Sequence, residues 1–266
     1  MDHESAVKRP AMVASAGHIC FWQGGSLWLG RGAGRSDSHA HHAHQVAVSL
    51  QGTCFFRPSP DAPWTAFAGA VIASHREHQF EFDGTIAHLF VEPETPQGRA
   101  LARYFAPGGI AALPADVCKS LATLLRDAEA AGQAGDALVT TGRSALALLT
   151  GTLAGGTPVD KRVAAAIDYV EGRVREPIAL ADAAAVACLS PGRFRHLFVA
   201  ETGTPFRAYL LWLRLKVALQ AALRGDSWTN AAHEAGFADS AHLTRTFKRM
   251  FGINPVDLSN VQRSAA

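Results

Sequence analysis

Phe198-Val199-Ala200-Glu201-Thr202-Gly203 and Phe247-Lys248-Arg249-Met250-Phe251-Gly252 carry the same pair of landmarks, an aromatic ring and a glycine five residues on, displaced by 49 positions. Each lies at the end of a stretch that reads as two short helices around a tight turn. The first is Leu180 to Ala187, the turn Cys188-Leu189-Ser190, then Pro191 to Thr202. The second is Trp228 to Ala235, the turn Gly236-Phe237-Ala238, then Ser240 to Phe251. Ser190 and Asp239 are good N-caps, and Pro191 suits the first helical position, so both second helices have defined starts. A duplicated helix-turn-helix with arginines beside its apolar stripe is the pattern of two stacked DNA-reading modules. Between them, Pro205 to Leu223 predicts a long helix whose Phe206, Tyr209, Leu210, Leu213 and Val217 would fix their separation.

Working outward, Asp160 caps a predicted helix running to about Arg175, with Val163, Ile167 and Val170 on one face and Pro177 as the stop. Ala154-Gly155-Gly156-Thr157-Pro158 reads as the linker before it. Upstream, Gln97 to Ala106, Pro114 to Ala131 and Ala137 to Leu153 are rich in Ala and Leu at helical spacing. From His18 to Glu92 the texture is short apolar runs punctuated by Gly, Pro and Asp: residues 20–22, 26–29, 45–50, 53–56, 70–72 and 87–91. That is the signature of an all-β sandwich or barrel. The expected architecture is α+β: a β domain over residues 1–96, a helical dimerisation or linker region over 97–157, and an all-α reading domain over 158–266.

Charge agrees with this division. Of 25 Lys+Arg and 23 Asp+Glu, residues 158–266 hold 14 and 10, and residues 1–157 hold 11 and 13. The modest excess of positive charge at the C-terminal end is where a polyanion would be met. The four cysteines (Cys20, Cys54, Cys118, Cys188) show no paired spacing, which argues against a disulfide framework and fits a reducing cytoplasm. Neither an export signal nor an 18-residue apolar stretch occurs, so a bacterial cytoplasmic protein is expected.

The run from Val159 to about Ser259 resembles the DNA-binding domain of the AraC/XylS family of transcription regulators. The residues that carry the likeness include Leu189-Ser190-Pro191-Gly192-Arg193-Phe194, Thr202-Gly203-Thr204-Pro205, Gly236-Phe237-Ala238-Asp239 and Phe247-Lys248-Arg249-Met250-Phe251-Gly252-Ile253-Asn254-Pro255. The resemblance implies base-reading positions at Gly192, Arg193, Arg195 and His196 in the first unit, and at Ser240, Ala241, Thr244 and Arg245 in the second. These are also the positions that the apolar stripe leaves outside. Arginine can bond two acceptors of guanine, which favours Arg195 and Arg245 for direct readout, while Arg193, Lys248 and Arg249 suit phosphates. Cys188 stands at a turn position often held by Gly, Ala183 and Ala231 replace larger aliphatics, and Gly192 and Ala241 lack reach toward a base.

Gly34, His39-Ala40-His41, Gln45 and Gly52 nearly match the first cupin motif, with Gln45 where that motif has Glu. His78, followed by Phe80 and Phe82, matches the second more loosely. This resembles the cupin-like jelly roll that precedes the reading domain in many such regulators and binds an effector there. His39, His41 and His78, with His44 as a spare, are candidate ligands for a divalent metal. The alternative is an organic effector in a cavity without metal, with Phe55, Phe56, Trp64, Phe80 and Phe82 as core or pocket wall.

The leading function is a DNA-binding regulator, activator or repressor, that is not an enzyme. Its expected partners are promoter DNA, a small effector and a second copy paired through Pro114 to Leu153, with RNA polymerase if it activates. A metal-responsive regulator is the alternative, and a metal-dependent cupin enzyme fused to a reading domain a third reading. The third is weakened by the missing Glu and by the absence of an acid/base or nucleophile constellation.

Overall fold

The computed structural model describes residues 13–105, 109–151 and 158–258. Ala106, the linker residues 154–157, Leu153 and Ser259 lie outside the described residues.

The N-terminal half is an antiparallel sheet of seven strands: β1 (Val13–Trp22), β2 (Gly25–Arg35), β3 (His44–Arg57), β4 (Thr65–Phe67), β5 (Gly69–Ile72), β6 (Gln79–Val91) and β7 (Ile110–Ala112). Their order is β1-β2-β6-β3-β5-β7, with β4 paired to β3. The runs 45–50 and 53–56, expected as separate strands, are one strand. Gly52 and Gly84 oppose each other in the β3/β6 register with φ of 87° and 125°, so both strands bend here without turning back. A bulge between Ser49 and Gln51 flips the alternation of β3. Gln45 and Ala47 thereby share a face with Cys54 and Phe56, and on β6 that face carries Phe80, Phe82, Ile86, His88 and Phe90.

The sheet is buried on both sides. On one face Leu27, Leu29, Val46, Val48, Leu89 and Val91 pack against α1 (Pro96–Leu101), α2 (Ala115–Ala130) and α3 (Gly135–Thr150). The apolar stripe of α2 and α3, expected to pair two chains, is used here: Leu121, Leu125, Leu138 and Leu149 are fully buried against their own sheet. What remains outward is Leu148, 48% exposed. The strand β7 was not legible in the sequence, and the helix expected over 97–106 is α1 followed by a 3-10 turn at Ala102–Tyr104.

The C-terminal half is helical: α4 (Lys161–Glu171), α5 (Leu180–Val186), α6 (Pro191–Thr202), α7 (Phe206–Arg224), α8 (Trp228–Glu234) and α9 (Ser240–Phe251). Asp160 caps α4 by accepting from the Arg162 N–H, but the helix stops at Gly172 instead of reaching Arg175. The pairs α5/α6 and α8/α9 are the two helix-turn-helix units. Their turns contain Cys188 at φ 53° and Gly236 at φ 75°, the left-handed conformation that glycine adopts freely and cysteine does not. The connecting helix α7 is buried on two sides. Phe206, Tyr209 and Leu213 face the reading units, while Trp212 and Lys216 reach Glu92 at the end of the sheet domain. The core of the reading domain is therefore continuous with the second face of the sheet.

Candidate nucleic-acid interface and effector cavity

The two candidate reading helices are built alike. In α6 the Ser190 hydroxyl accepts from the Arg193 N–H and Pro191 opens the helix; in α9 the Asp239 carboxylate accepts from the His242 N–H at 2.6 Å. Both end on a left-handed glycine, Gly203 (φ 72°) and Gly252 (φ 69°). Phe194 and Phe198 face inward from α6, and Leu243, Phe247, Met250 and Phe251 from α9. Burying those stripes leaves Gly192, Arg193, Arg195 and His196 exposed on the first helix. On the second, Ala241, Arg245, Lys248 and Arg249 are exposed and Ser240 and Thr244 half-buried. The residues named for DNA contact thus gather on two outward helix faces.

The two faces differ in what they meet. Lys248 pairs with Asp37 of the sheet domain at 3.1 Å. Arg245 and Arg249 line a cleft whose other wall is His39, His41, His42, His75 and Glu77. Arg193 and Arg195 form no ion pair among the described residues. The reading face of α9 is turned onto the sheet domain; that of α6 is not.

Three contacts hold that docking. Phe251 sits among Trp28, Phe90, His41 and Trp212, with ring centroids 5.1, 5.8, 6.2 and 5.9 Å away. The Asp37 N–H donates to the Gly252 carbonyl at 2.8 Å. The buried Glu92 carboxylate accepts from Trp212 Nε1 at 3.0 Å and pairs with the Lys216 ammonium. Burial alone would raise the Glu92 pKa, but Lys216 and these hydrogen bonds outweigh it and hold the carboxyl below its usual range. Away from that face, Arg99 of α1 pairs with Glu201 near the C-terminal end of α6 at 2.6 Å.

Behind this junction lies a partly open apolar cavity; the space between its lining atoms, open solvent at its mouth included, is about 650 Å³. Its sheet wall is Trp28, Phe80, Phe82, Ile86 and Phe90, and its far wall is Phe251, Ile253 and Leu258 from the reading domain. Of the expected wall residues, Phe80 and Phe82 serve there, and Phe56 stacks behind Phe80. Trp64 does not: it is sandwiched between Arg35 and Arg57 near the surface. Phe55, on the other side of β3 from Cys54 and Phe56, is half-buried and lies outside the cavity.

The polar floor of the cavity includes His39, Gln45 and His88. His39, His41 and His78 are buried and their ring nitrogens come within 4.8 Å of one another, as the sequence suggested. His44 is not among them; its Nδ1 accepts from the Ser74 N–H at 2.9 Å and its ring packs on Phe105. Each of the three donates Nδ1 to a main-chain carbonyl: His39 to Asp37 (2.9 Å), His41 to Ala43 (2.8 Å) and His78 to Arg76 (2.8 Å). Burial pushes all three below the ordinary imidazole value, His39 to about 3. Gln45 Oε1 lies 2.9 Å from His41 Nε2 and 3.1 Å from His78 Nε2, while its amide nitrogen is 2.9 Å from His88 Nδ1. His88, also pushed by burial to about 3, has no partner for Nε2 among the described residues. No motif marks His88, Trp28, Phe90 and Phe251, which complete the cavity. The alternation Phe80, Phe82, Ile86, His88, Phe90 was available as a signal; the contribution of Phe251 was not.

Residues 183–260 match the family described as a helix-turn-helix domain. The chain is 29% identical over 89 residues to the probable transcriptional regulator LumQ of Photobacterium leiognathi, covering 33% of this chain and 36% of that protein. It is 40% identical over 79 residues to the transcriptional activator NphR of Rhodococcus sp, covering 29% and 23%. The chain thus spans about a third or less of the length of these curated relatives. It shares a fold with ToxT from Vibrio cholerae O395, at a TM-score of 0.55 and 8% identity, covering 87% of this chain and 94% of that one. A ToxT structure from strain SCE256 with unsaturated fatty acid bound gives 0.53 and 10%, covering 100% and 99%. A helix-turn-helix domain over residues 183–260 is thus joined to a β-sheet domain, in a fold shared with ToxT.

Proposed function

We propose that this protein is a sequence-specific DNA-binding transcription regulator whose sheet domain senses a small, largely apolar molecule. The observation that carries the reading is the shared cavity wall: Phe251, Ile253 and Leu258 belong to the second reading unit and its tail, and they close a pocket floored by the sheet. A molecule in that pocket touches both domains. It therefore binds the docked and undocked arrangements with different affinity, which is what any effector needs in order to shift an equilibrium. ToxT, of similar fold, has been crystallised with an unsaturated fatty acid and with a naphthalenyl butenoic acid, both apolar acids, which supports a cavity of this use.

Promoter DNA is the proposed partner. Arg193, Lys248 and Arg249 supply phosphate contacts, and Arg195 and Arg245, with Gly192, His196, Ser240, Ala241 and Thr244 around them, read bases. With Lys248 held by Asp37 and Arg245 facing the cleft, the docked second unit is withheld from DNA. Release of that unit is the regulated step. Pairing of two chains would use the outer faces of α2 and α3, since their apolar stripe is spent on the sheet, and an activator would further contact RNA polymerase. No helix among the described residues is long and apolar enough to cross a membrane. The bacterial cytoplasm, where promoter DNA lies, is the proposed location, and no catalytic role is assigned.

The test is selection of genomic fragments by the purified full chain, followed by affinity measurement with wild type and Ile86→Trp. Filling the cavity from the sheet side should change affinity for the selected fragment without altering any reading residue. An unchanged affinity would remove the cavity from the account, and a chain that prefers no fragment would remove the regulator.

A further inference from the structure

Cations at the domain junction are met by carboxylates: Lys248 by Asp37, Lys216 by Glu92 and Arg99 by Glu201. The cleft between α9 and the sheet domain departs from that pattern. Arg207, from the first turn of α7, joins Arg245 and Arg249, one turn apart on α9, in lining it. All three side chains are exposed, and none has a carboxylate within ion-pair distance among the described residues. Opposite them, the wall formed by residues 38–42 and 75–77 offers a single carboxylate, Glu77, which already accepts from the Ser38 hydroxyl at 2.6 Å. Three fixed positive charges against one negative, in a concavity with protein on two sides, concentrate a positive potential there.

We propose that this cleft is a second ligand site, specific for a small molecule that carries two or more anionic groups, phosphate or carboxylate. Guanidinium forks suit either group, because their paired N–H donors match two oxygens at once. One group engages Arg245 and Arg249 on α9 and another engages Arg207 on α7, so a molecule with a single charge leaves part of the site unmatched. The space between the walls, open solvent at the mouth included, is about 1990 Å³, and the sheet wall bars a duplex from it while admitting a small molecule. The site shares only His39 with the apolar cavity. Its occupant holds Arg245, the side chain proposed to read a base, and must leave when that side chain meets DNA. The bound polyanion therefore favours the docked arrangement and opposes promoter binding, and by reciprocity DNA expels the polyanion.

The role against DNA rests on the proposed regulator, but the test of the site uses no DNA, so the two readings fail separately. Full-length protein is titrated by calorimetry at constant ionic strength with pyrophosphate, ATP and citrate, and with sulfate and benzoate for comparison. The expected result is one polyanion per chain, bound about tenfold or more tightly than either comparison anion, with the three polyanions separating a phosphate from a carboxylate preference. Arg207→Ala and Arg249→Ala, checked for fold by circular dichroism, should each weaken the preferred polyanion about tenfold, the worth of a hydrogen bond to a charged group. Glu77→Gln should tighten it about threefold by removing the opposing charge from the sheet wall. Arg195→Ala, on the helix whose reading face is turned away from the cleft, should bind the polyanion as the wild type does. Binding no tighter than that of sulfate, equal losses in Arg207→Ala and Arg195→Ala, or an unmoved affinity in Glu77→Gln would each overturn the inference. The second of these would mark mere attraction to a basic surface, and the third would leave the sheet wall outside the site.

Discussion

Gly203 and Gly252 are equivalent positions of the repeat and offer an internal control for the docked state. Both are left-handed, at φ 72° and 69°, so an added Cβ costs roughly 1–2 kcal/mol at either through backbone conformation alone. Their surroundings differ. A Cβ on Gly203 meets nothing nearer than His75 Cδ2 at 3.8 Å, an ordinary contact. On Gly252 it would lie 2.4 Å from the Asp37 carbonyl oxygen, 2.6 Å from His39 Nδ1 and 3.0 Å from Ser36 Cβ. Those atoms cannot easily give, because Asp37 is tied back to the Gly252 carbonyl and Ser36 to Phe80 by main-chain bonds of 2.8 and 2.9 Å. Overpacking of this kind adds about 1–3 kcal/mol. The chain can avoid that cost only by lifting α9 off the sheet. Gly203→Ala should therefore lose roughly 1–2 kcal/mol in chemical unfolding and keep the wild-type tryptophan emission. Gly252→Ala should lose about 2–5 kcal/mol, or undock and shift the emission to the red as Trp28 and Trp212 lose Phe251. Equal losses and identical emission in the two variants would refute the docking argument.

Other expectations follow from the same contacts. Arg245→Ala should cost about 1–3 kcal/mol in DNA binding and relax preference at one base pair, whereas Lys248→Ala should weaken all sequences and flatten the salt dependence by about one unit; affinity measured on single-base variants over a salt series separates the two. Glu92→Gln leaves the Lys216 ammonium without its charge partner and should destabilise the junction by about 3 kcal/mol, the lower end for a broken buried pair because Lys216 keeps some exposure. Since the folded Glu92 is held below its unfolded value, its contribution is present above that value and lost as pH falls through the folded one; acid titration of tryptophan emission should show the junction loosening in wild type and a weaker transition in the variant. His44 runs from an ordinary 6.5 down to about 3 through burial, so its contribution is complete above 6.5 and declines toward pH 3. His44→Gln, which retains an acceptor for Ser74, should reduce the slope of stability against pH in that window by about one proton.

What was legible in the sequence was local. The caps at Ser190 and Asp239 and the glycines that end α6 and α9 are set by neighbours a few residues away, and both helices have the bounds that these signals imply. The β domain was legible as a class but not in its strands. Gly52 and Asp83-Gly84 look like hairpin turns, yet the two glycines face each other across β3 and β6 and let both long strands bend. Helical spacing in α2 and α3 revealed a buried stripe without saying what buries it. The same limit hid the second buried side of α7 and the reach of Phe251 into the sheet domain, because packing between parts 120 to 223 residues apart leaves no periodic mark. His39 and His41 were legible as a pair because they lie in a short motif; His88 meets them only through Gln45, across the sheet.

The central claim is a paired set of DNA probes, one of them free and the other released from the sheet domain. Hydroxyl-radical footprinting of the full chain on its best genomic fragment tests it most directly. Two protected patches should appear on one face of the duplex, about 10 base pairs apart, the one lost in Arg195→Ala and the other in Arg245→Ala. A single patch unaffected by Arg245→Ala, or uniform protection without preference for any fragment, would contradict it.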